Sequence, residues 1–339
     1  MTVPAAQPGV GPVLIIGQGL AGSSLGWRCE QAGVPFRIID AGHGPAASRV
    51  GAGIINPLTG RRLVPTWRFA EWRDEALGFY GALETALGLP LVRPLRIRRF
   101  YRDPAERARY AARLADPAVA RWIQEIDDRG CWIRGGAQVE TGTMITALRH
   151  RWRERGWLIE QSWAGGRGLR SLGGEGEGWV IVWCVGAGVA PAFDFLPAER
   201  TKGEILLGRL PGLTPDVLLN DGRWVLPGPG GAARVGATYD RIAFDPAPTP
   251  AGREELLAAC GRLTGNALEV EAHEAAVRVT TPDRRPVIGW HPQQPRVGFF
   301  GGLGSKGALW APVLARQWLE LLSAGRAVEP AVDIARYVR

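Results

Sequence analysis

Residues 13–40 constrain this chain more than any other stretch. They read Val13-Leu14-Ile15-Ile16, then Gly17-Gln18-Gly19-Leu20-Ala21-Gly22, a helical run to Ala32, and Phe36-Arg37-Ile38-Ile39 closed by Asp40. An apolar run, a GxGxxG turn, an amphipathic helix and a second apolar run ending in an acid make one βαβ unit, ordered as a dinucleotide site requires. Gly17 permits the tight turn, and Gly19 lets the backbone approach a pyrophosphate. Gly22 lets the helix lie close on the sheet, while the N–H groups of Leu20, Ala21 and their neighbours point at the phosphates. Asp40, eighteen residues beyond Gly22, stands where a carboxylate accepts ribose hydroxyls. Without those flanks the glycines would mark only an α/β turn with no ligand.

A chain of 339 residues, 46% hydrophobic, suits two domains or one large α/β body with an ample core. No apolar run reaches the roughly 18 residues of a membrane span. Met1 to Pro12 reads as a loose leader without the basic and apolar regions of a secretory signal. Cys29, Cys131, Cys184 and Cys260 are scattered, with no CxxC and no metal spacing, so no metal is expected and a reduced, cytoplasmic setting fits. The net charge of +8 and pI near 9.9 favour an anionic partner such as nucleic acid. Base-composition bias in the genome explains them equally, since Lys202 and Lys306 are the only lysines among many arginines.

The segment from Ala41 to Pro57 is dense in small residues, which lets backbone pass close to something flat and large; His43 within it reads as a loop residue rather than a base. Arg68 to Leu87 carries Phe69, Trp72, Ala76, Phe79 and Leu83 at helical spacing. Leu91 to Tyr101 is strand-like, with Arg96 and Arg98 on one face. Asp103 and Pro104 then open a helix whose Arg107, Arg109 and Arg113 form either a phosphate-binding or a solvated face. A helix over Thr143 to Arg155 turns Ile145, Leu148 and Trp152 inward and spreads Arg149, Arg151, Arg153 and Arg155 around its remainder. The Gly-rich segment from Gly165 to Gly178 reads as a hairpin, and Trp179 to Gly188 as a buried strand ending in a glycine turn. From Lys202 to Asp240 the pattern shifts to alternating strands of an antiparallel sheet, followed by a helix from Thr249 to Leu263. Near the end, Val297 to Phe300 leads through Gly301-Gly302-Leu303-Gly304-Ser305-Lys306-Gly307 into an apolar helix. That is a second strand, glycine turn and helix start able to hold partial negative charge.

The opening fingerprint, Val180 to Gly188, Arg278 with Asp283-Arg284-Arg285-Pro286-Val287-Ile288-Gly289, and the closing glycine turn together resemble the D-amino-acid oxidase/glycine oxidase superfamily of FAD-dependent oxidoreductases. Within it, Gly236 to Arg241 and Gly302 to Pro312 look closest to the FAD oxidase half of the bifunctional tRNA 5-methylaminomethyl-2-thiouridine biosynthesis enzyme. That enzyme's methyltransferase half has no counterpart here, so a free-standing oxidase is implied. The implied fold is α/β: a Rossmann-like FAD-binding domain of residues 1–83, 136–198 and 277–339, and a second α+β substrate domain of residues 84–135 and 199–276 built on an antiparallel sheet.

Carried over by motif, Gly17, Gly19, Leu20, Ala21, Gly22, Asp40 and Ala41 would hold the adenosine and pyrophosphate of non-covalent FAD. Ser48 and Gly53 would border the flavin, Gly186 would lie near the pyrophosphate, and Gly302, Leu303, Gly304, Ser305, Lys306 and Gly307 would hold the flavin edge. The resemblance makes Arg278 the ligand of a substrate carboxylate, its alternative being a structural ion pair. Trp224 stands where glycine oxidases have an active-site tyrosine, and Ala276 about where the sarcosine oxidase branch links its flavin to cysteine. Lys306 would either steady the reduced flavin or sit solvated. The implied reaction oxidises the C–N bond of a glycine-type amine or amino acid by hydride transfer to flavin N5 and imine hydrolysis. The substrate would be free glycine, sarcosine or a D-amino acid, or the carboxymethylaminomethyl group of a tRNA wobble uridine. A flavin-binding sensor without turnover is the third reading.

Overall fold

The computed structural model describes residues 11–42, 44, 46–163, 178–188 and 190–338. His43, most of the leader and nearly all of the expected hairpin at 165–178 lie outside them. The chain forms two compact units, one of residues 1–49, 141–200 and 278–339, the other of 50–140 and 201–277.

In the first unit the βαβ reading holds residue by residue. Val13–Ile16 pairs in parallel with Phe36–Ile39 on one side and Val180–Trp183 on the other. Among the described residues this sheet has six strands, in the order Val287–Trp290, Val297–Gly301, Val180–Trp183, Val13–Ile16, Phe36–Ile39, Leu158–Ile159. Its centre is buried on both faces, so Val13, Leu14 and Ile15 are fully inaccessible, as continuous apolar runs in parallel strands imply. Leu14, Ile16, Ile39, Trp179, Trp183 and Val287 pack one face with Phe193 and Ile334. Helices Leu20–Gln31, Thr141–Glu154 and Gly307–Ala324 belong to this unit. Glu30 near the end of the first accepts from Arg151 and Trp152 of the second and from Arg155 just past its end.

The second unit is built on a larger sheet, in the order Glu269–Thr280, Glu199–Arg209, Ala232–Gly236, Trp224–Pro227, Val217–Asn220, Val92–Phe100, Gly130–Val139, Ile54–Ile55. Most of its neighbours run antiparallel, while Val217–Asn220 runs parallel to Val92–Phe100. Parallel neighbours need a long connection. These two come from the unit's separate chain segments, so no hairpin joins them. The Asp103 carboxylate caps its helix, accepting from Glu106 N–H, and at the start of Pro250–Thr264 the Thr249 Oγ1 accepts from Gly252 N–H.

Residues 50–83 and 136–140 correct the boundaries read from sequence, since both lie in the second unit. Ile54–Ile55 pairs with Ala137 and Gln138, and the helix Phe69–Leu87 is tied to the same strand by Arg73 donating to the Gly135 carbonyl at 2.9 Å. Strand pairing at such distance along the chain leaves no local mark. The later boundaries differ by one or two residues. Among the described residues no helix is long and apolar enough to cross a membrane.

Candidate functional site

The first glycine turn shows why its residues are small. Gly17 has φ +101°, and a Cβ there would stand 2.7 Å from the Cys184 carbonyl oxygen on the neighbouring strand's end. A Cβ on Gly22 would collide with the Gly17 carbonyl. The helix Leu20–Gln31 starts with Gly19 as its N-cap, without a side-chain cap and without an acid in its first turn. First-turn N–H groups have no intrahelical partner. Here Leu20 N–H donates to Ser48 Oγ at 3.0 Å, which places Ser48 at the helix start; Ala21 and Gly22 follow, buried. Gly186, φ +57°, lies in the turn just past Val180–Trp183, with open space where its Cβ would be.

Asp40 is held from several sides. Its Oδ2 accepts from Gln18 N–H at 2.8 Å, and its Oδ1 accepts from Gly42 N–H at 2.8 Å and from Arg149 at 2.7 Å. Arg149 also donates to Gln18 Oε1 at 2.9 Å and to Glu160 Oε1 at 3.0 and 2.8 Å. Gln18 is fully buried and Arg149 only 7% exposed. The sequence reading left Arg149 among arginines spread around a helix, and the structure corrects that: its guanidinium is the hub between the acid and the turn. The Glu160 carboxyl is held below its ordinary range by the Arg153 and Arg149 guanidiniums. Three of the roughly four acceptor directions of the Asp40 carboxylate are filled, leaving one on Oδ2. Ala41 follows it, exposed.

The second glycine turn is built on the segment that carries Arg278. Gly302 and Gly304 have φ +70° and +52°, and Gly304 N–H donates to the Val279 carbonyl at 2.9 Å. Arg278, partly buried, is the residue before that acceptor. Lys306 is the N-cap of Gly307–Ala324, which likewise lacks a side-chain cap and a first-turn acid. A Cβ on Gly307 would stand 3.0 Å from Leu20 Cδ2, so the two helix starts lie side by side. Leu303 packs against Gly307, while Ser305 is exposed. The Lys306 ammonium lies 5.6 Å over the Trp310 ring; burial first, and then the Arg284 guanidinium, push its pKa down.

The first unit thus brings together Gly17, Gly19, Leu20, Ala21, Gly22, Asp40, Ala41, Ser48, Gly186, Arg278 and Gly302 to Gly307. Gly53 and Trp224 belong to the other unit. Gly53, φ +66°, accepts from Val139 N–H at 3.0 Å and leaves no room for a Cβ. Trp224 pairs with Gly236, across which its indole lies. Among the described residues no cluster of His, Cys, Asp and Glu could hold a metal. His150 faces Glu154 at the surface, His291 bonds the Ala192 carbonyl, and His273 stands 2.8 Å from Glu204.

Residues 12–321 match the protein family described as DAO, FAD dependent oxidoreductase. A glycine oxidase of Pseudomonas aeruginosa is 28% identical over 96% of this chain and 97% of its own length. The tRNA 5-methylaminomethyl-2-thiouridine biosynthesis bifunctional protein MnmC of Maricaulis maris is 29% identical over 93% of this chain; the match spans only 52% of that protein. Among solved structures, glycine oxidase from Geobacillus kaustophilus shares 19% identity at TM-score 0.72, covering 97% of this chain and 98% of its own. Iminodiacetate oxidase from Chelativorans sp. BNC1 shares 21% at TM-score 0.74, covering 96% and 98%.

Proposed function

Since the chain belongs to the DAO family of FAD-dependent oxidoreductases, we propose that it oxidises the C–N bond of a glycine-type amine whose carboxylate Arg278 binds. One observation carries this reading: the helix starts at Leu20 and Gly307 lie side by side, both without first-turn acids. Two positive helix ends fit the two polar regions of FAD, the pyrophosphate and the flavin edge. The space that Gly17 and Gly22 keep clear fits close backbone approach. Ala276, buried, offers no sulfur, which supports non-covalent binding.

Bound FAD supplies a two-electron acceptor. Arg278 orients the substrate by forking its carboxylate, so that the Cα–H is presented in one geometry. The start of Gly307–Ala324, with Lys306, would hold the flavin edge and favour negative charge there. The amine proton goes to solvent, and water adds to the resulting imine, which splits into an amine and an aldehyde acid. Anaerobic bleaching of the flavin band by N-substituted glycines is the expected result; no flavin bound after reconstitution would sink the assignment.

The finer reading is that the glycine unit is the carboxymethylaminomethyl group of a tRNA wobble uridine. The net charge of +8 and the match to the oxidase-sized part of the Maricaulis maris protein support it, as does Trp224, bulkier than the tyrosine expected for small free amino acids. Mass spectrometry of tRNA nucleosides before and after incubation with the FAD-loaded protein tests it; unchanged carboxymethylaminomethyl-uridine rules it out. The full-length match to the Pseudomonas aeruginosa glycine oxidase favours a second reading, oxidation of free glycine, sarcosine or a D-amino acid, read by turnover of those compounds. A flavin sensor without turnover would leave both assays silent. A reducing cytoplasmic setting fits four cysteines that are all unpaired and buried.

A further inference from the structure

The outer face of the strands Val92–Phe100 and Gly130–Val139 carries a feature that the oxidation chemistry does not use. Alternation along the first strand sends Leu95 and Ile97 into the core and Arg96, Arg98 and Phe100 to the opposite face. Arg98 pairs in register with Trp132. The result is a ladder of alternating cations and rings. Arg96 lies 4.4 Å from the Trp132 centroid and Arg98 5.2 Å from it; Arg98 lies 5.1 Å from Phe100, and Arg129 5.5 Å from Phe100.

The two ends of the ladder differ from its middle. Arg98 is 6% exposed and is held by Asp127 at 2.7 Å. Arg96 and Arg129 are exposed, and among the described residues neither is paired with a carboxylate. At the Arg129 end the face opens into a cleft of about 550 Å3, lined by Phe100, Tyr101, Arg102, Asp128, Arg129 and Arg262 among others. Its acids are already neutralised: Asp128 takes Arg107 at 2.7 Å and Asp221 takes Arg262 at 3.0 Å. The surface therefore offers stacking planes and uncompensated positive charge within one unit.

We propose that this ladder and cleft dock a single-stranded stretch of RNA, with bases stacked on the exposed guanidinium and ring planes and phosphates against Arg96 and Arg129. Bases stack on aromatic rings and on arginine planes alike. The cleft volume falls in the roughly 300–1,000 Å3 range of sites for single small ligands, which suits one nucleotide. The inference rests on the reading that the substrate group is carried by tRNA, and it adds the surface that would hold that RNA.

The test uses the FAD-loaded full chain and a fluorescein-labelled 12-residue single-stranded RNA of mixed sequence, followed by anisotropy between 50 and 200 mM KCl. Arg96→Ala, Arg129→Ala and Trp132→Leu are each expected to weaken binding about tenfold. Each arginine lost should also make the log–log salt slope less steep by about 0.7. Arg129→Lys, which keeps charge and discards the plane, should retain the slope and lose affinity. Melting temperatures within about 2 °C of the parent show that the exposed-arginine variants fold. Affinity unchanged in all variants overturns the proposal, as does equal loss of binding to phosphatidylglycerol vesicles, which would mark a general anion surface. Nucleoside analysis separates the two layers: lost RNA binding without tRNA turnover refutes the substrate reading and leaves the surface standing, whereas tRNA turnover with unaltered binding refutes the surface.

Discussion

Arg149→Met removes the guanidinium that ties Asp40 to the first glycine turn while keeping most of the side-chain stem. Five hydrogen bonds go: two to Asp40, at 2.7 Å to Oδ1 and 3.3 Å to the carbonyl, two to Glu160 and one to Gln18. The losses are unequal. Glu160, 44% exposed, turns to water and contributes little. Gln18 Oε1, on a fully buried residue, is left without that donor, a cost of about 1–3 kcal/mol. Asp40, with 11% side-chain exposure, keeps two backbone donors but loses its cation. Breaking a fully buried pair costs about 3–5 kcal/mol, and this one sits at the low end because its rim is wet. A total of about 4–6 kcal/mol corresponds to a drop of about 6–8 °C in melting temperature for a chain of this size. The carboxylate also loses its fixed aim at a ribose, so FAD affinity should fall about 10- to 100-fold. Differential scanning fluorimetry with and without saturating FAD reads both effects, because bound ligand raises the melting temperature in proportion to ln(1 + [FAD]/Kd). A variant melting within about 1 °C of the parent, with the same FAD-dependent rise, would refute the assignment of Arg149 as the hub.

Gly22→Ala should abolish flavin retention on gel filtration, because its Cβ meets the Gly17 carbonyl and pushes the turn open; a yellow, normally melting variant would contradict this. Arg278→Ala should retain FAD and lose at least about 100-fold in kcat/KM for carboxylate-bearing amines, with little change for amines lacking one. His273 introduces acid sensitivity in the second unit. Burial lowers its pKa, outweighing the Glu204 carboxylate 2.8 Å away, with Arg253 and Lys202 adding repulsion. The folded state therefore binds its proton less readily than the unfolded chain, so stability is full above the unfolded value near 6.5 and falls as pH drops through the lowered folded value. His273→Gln should flatten the melting profile from pH 6.5 down to pH 5, and an unaltered profile would show that another group is responsible.

Much of the local structure was legible because its signals are local. The tight turn at Gly17, the close helix packing at Gly22, the apolar runs on either side and, in the second unit, the Asp103 cap act within a few residues of themselves, and the structure shows each where the pattern implies. The second glycine turn was legible from its own residues too, although its Gly304 N–H goes to the Val279 carbonyl on a strand well upstream. Sequence alone therefore determined the βαβ unit, the two helix starts and the family resemblance. Tertiary structure decided what closes over long separations. Arg149 reaches Asp40 across 109 positions, and no periodicity separates it from Arg151 or Arg153 on the same helix. Residues 50–83 joined the second unit through the pairing of Ile54–Ile55 with Ala137 and Gln138. Val217–Asn220 came to lie parallel to Val92–Phe100. The cation–ring ladder exists only because register sets Arg98 opposite Trp132. Caps and turns are encoded in the energy of a few adjacent dihedrals, whereas ion pairs and strand neighbours depend on which surfaces meet once the chain has collapsed.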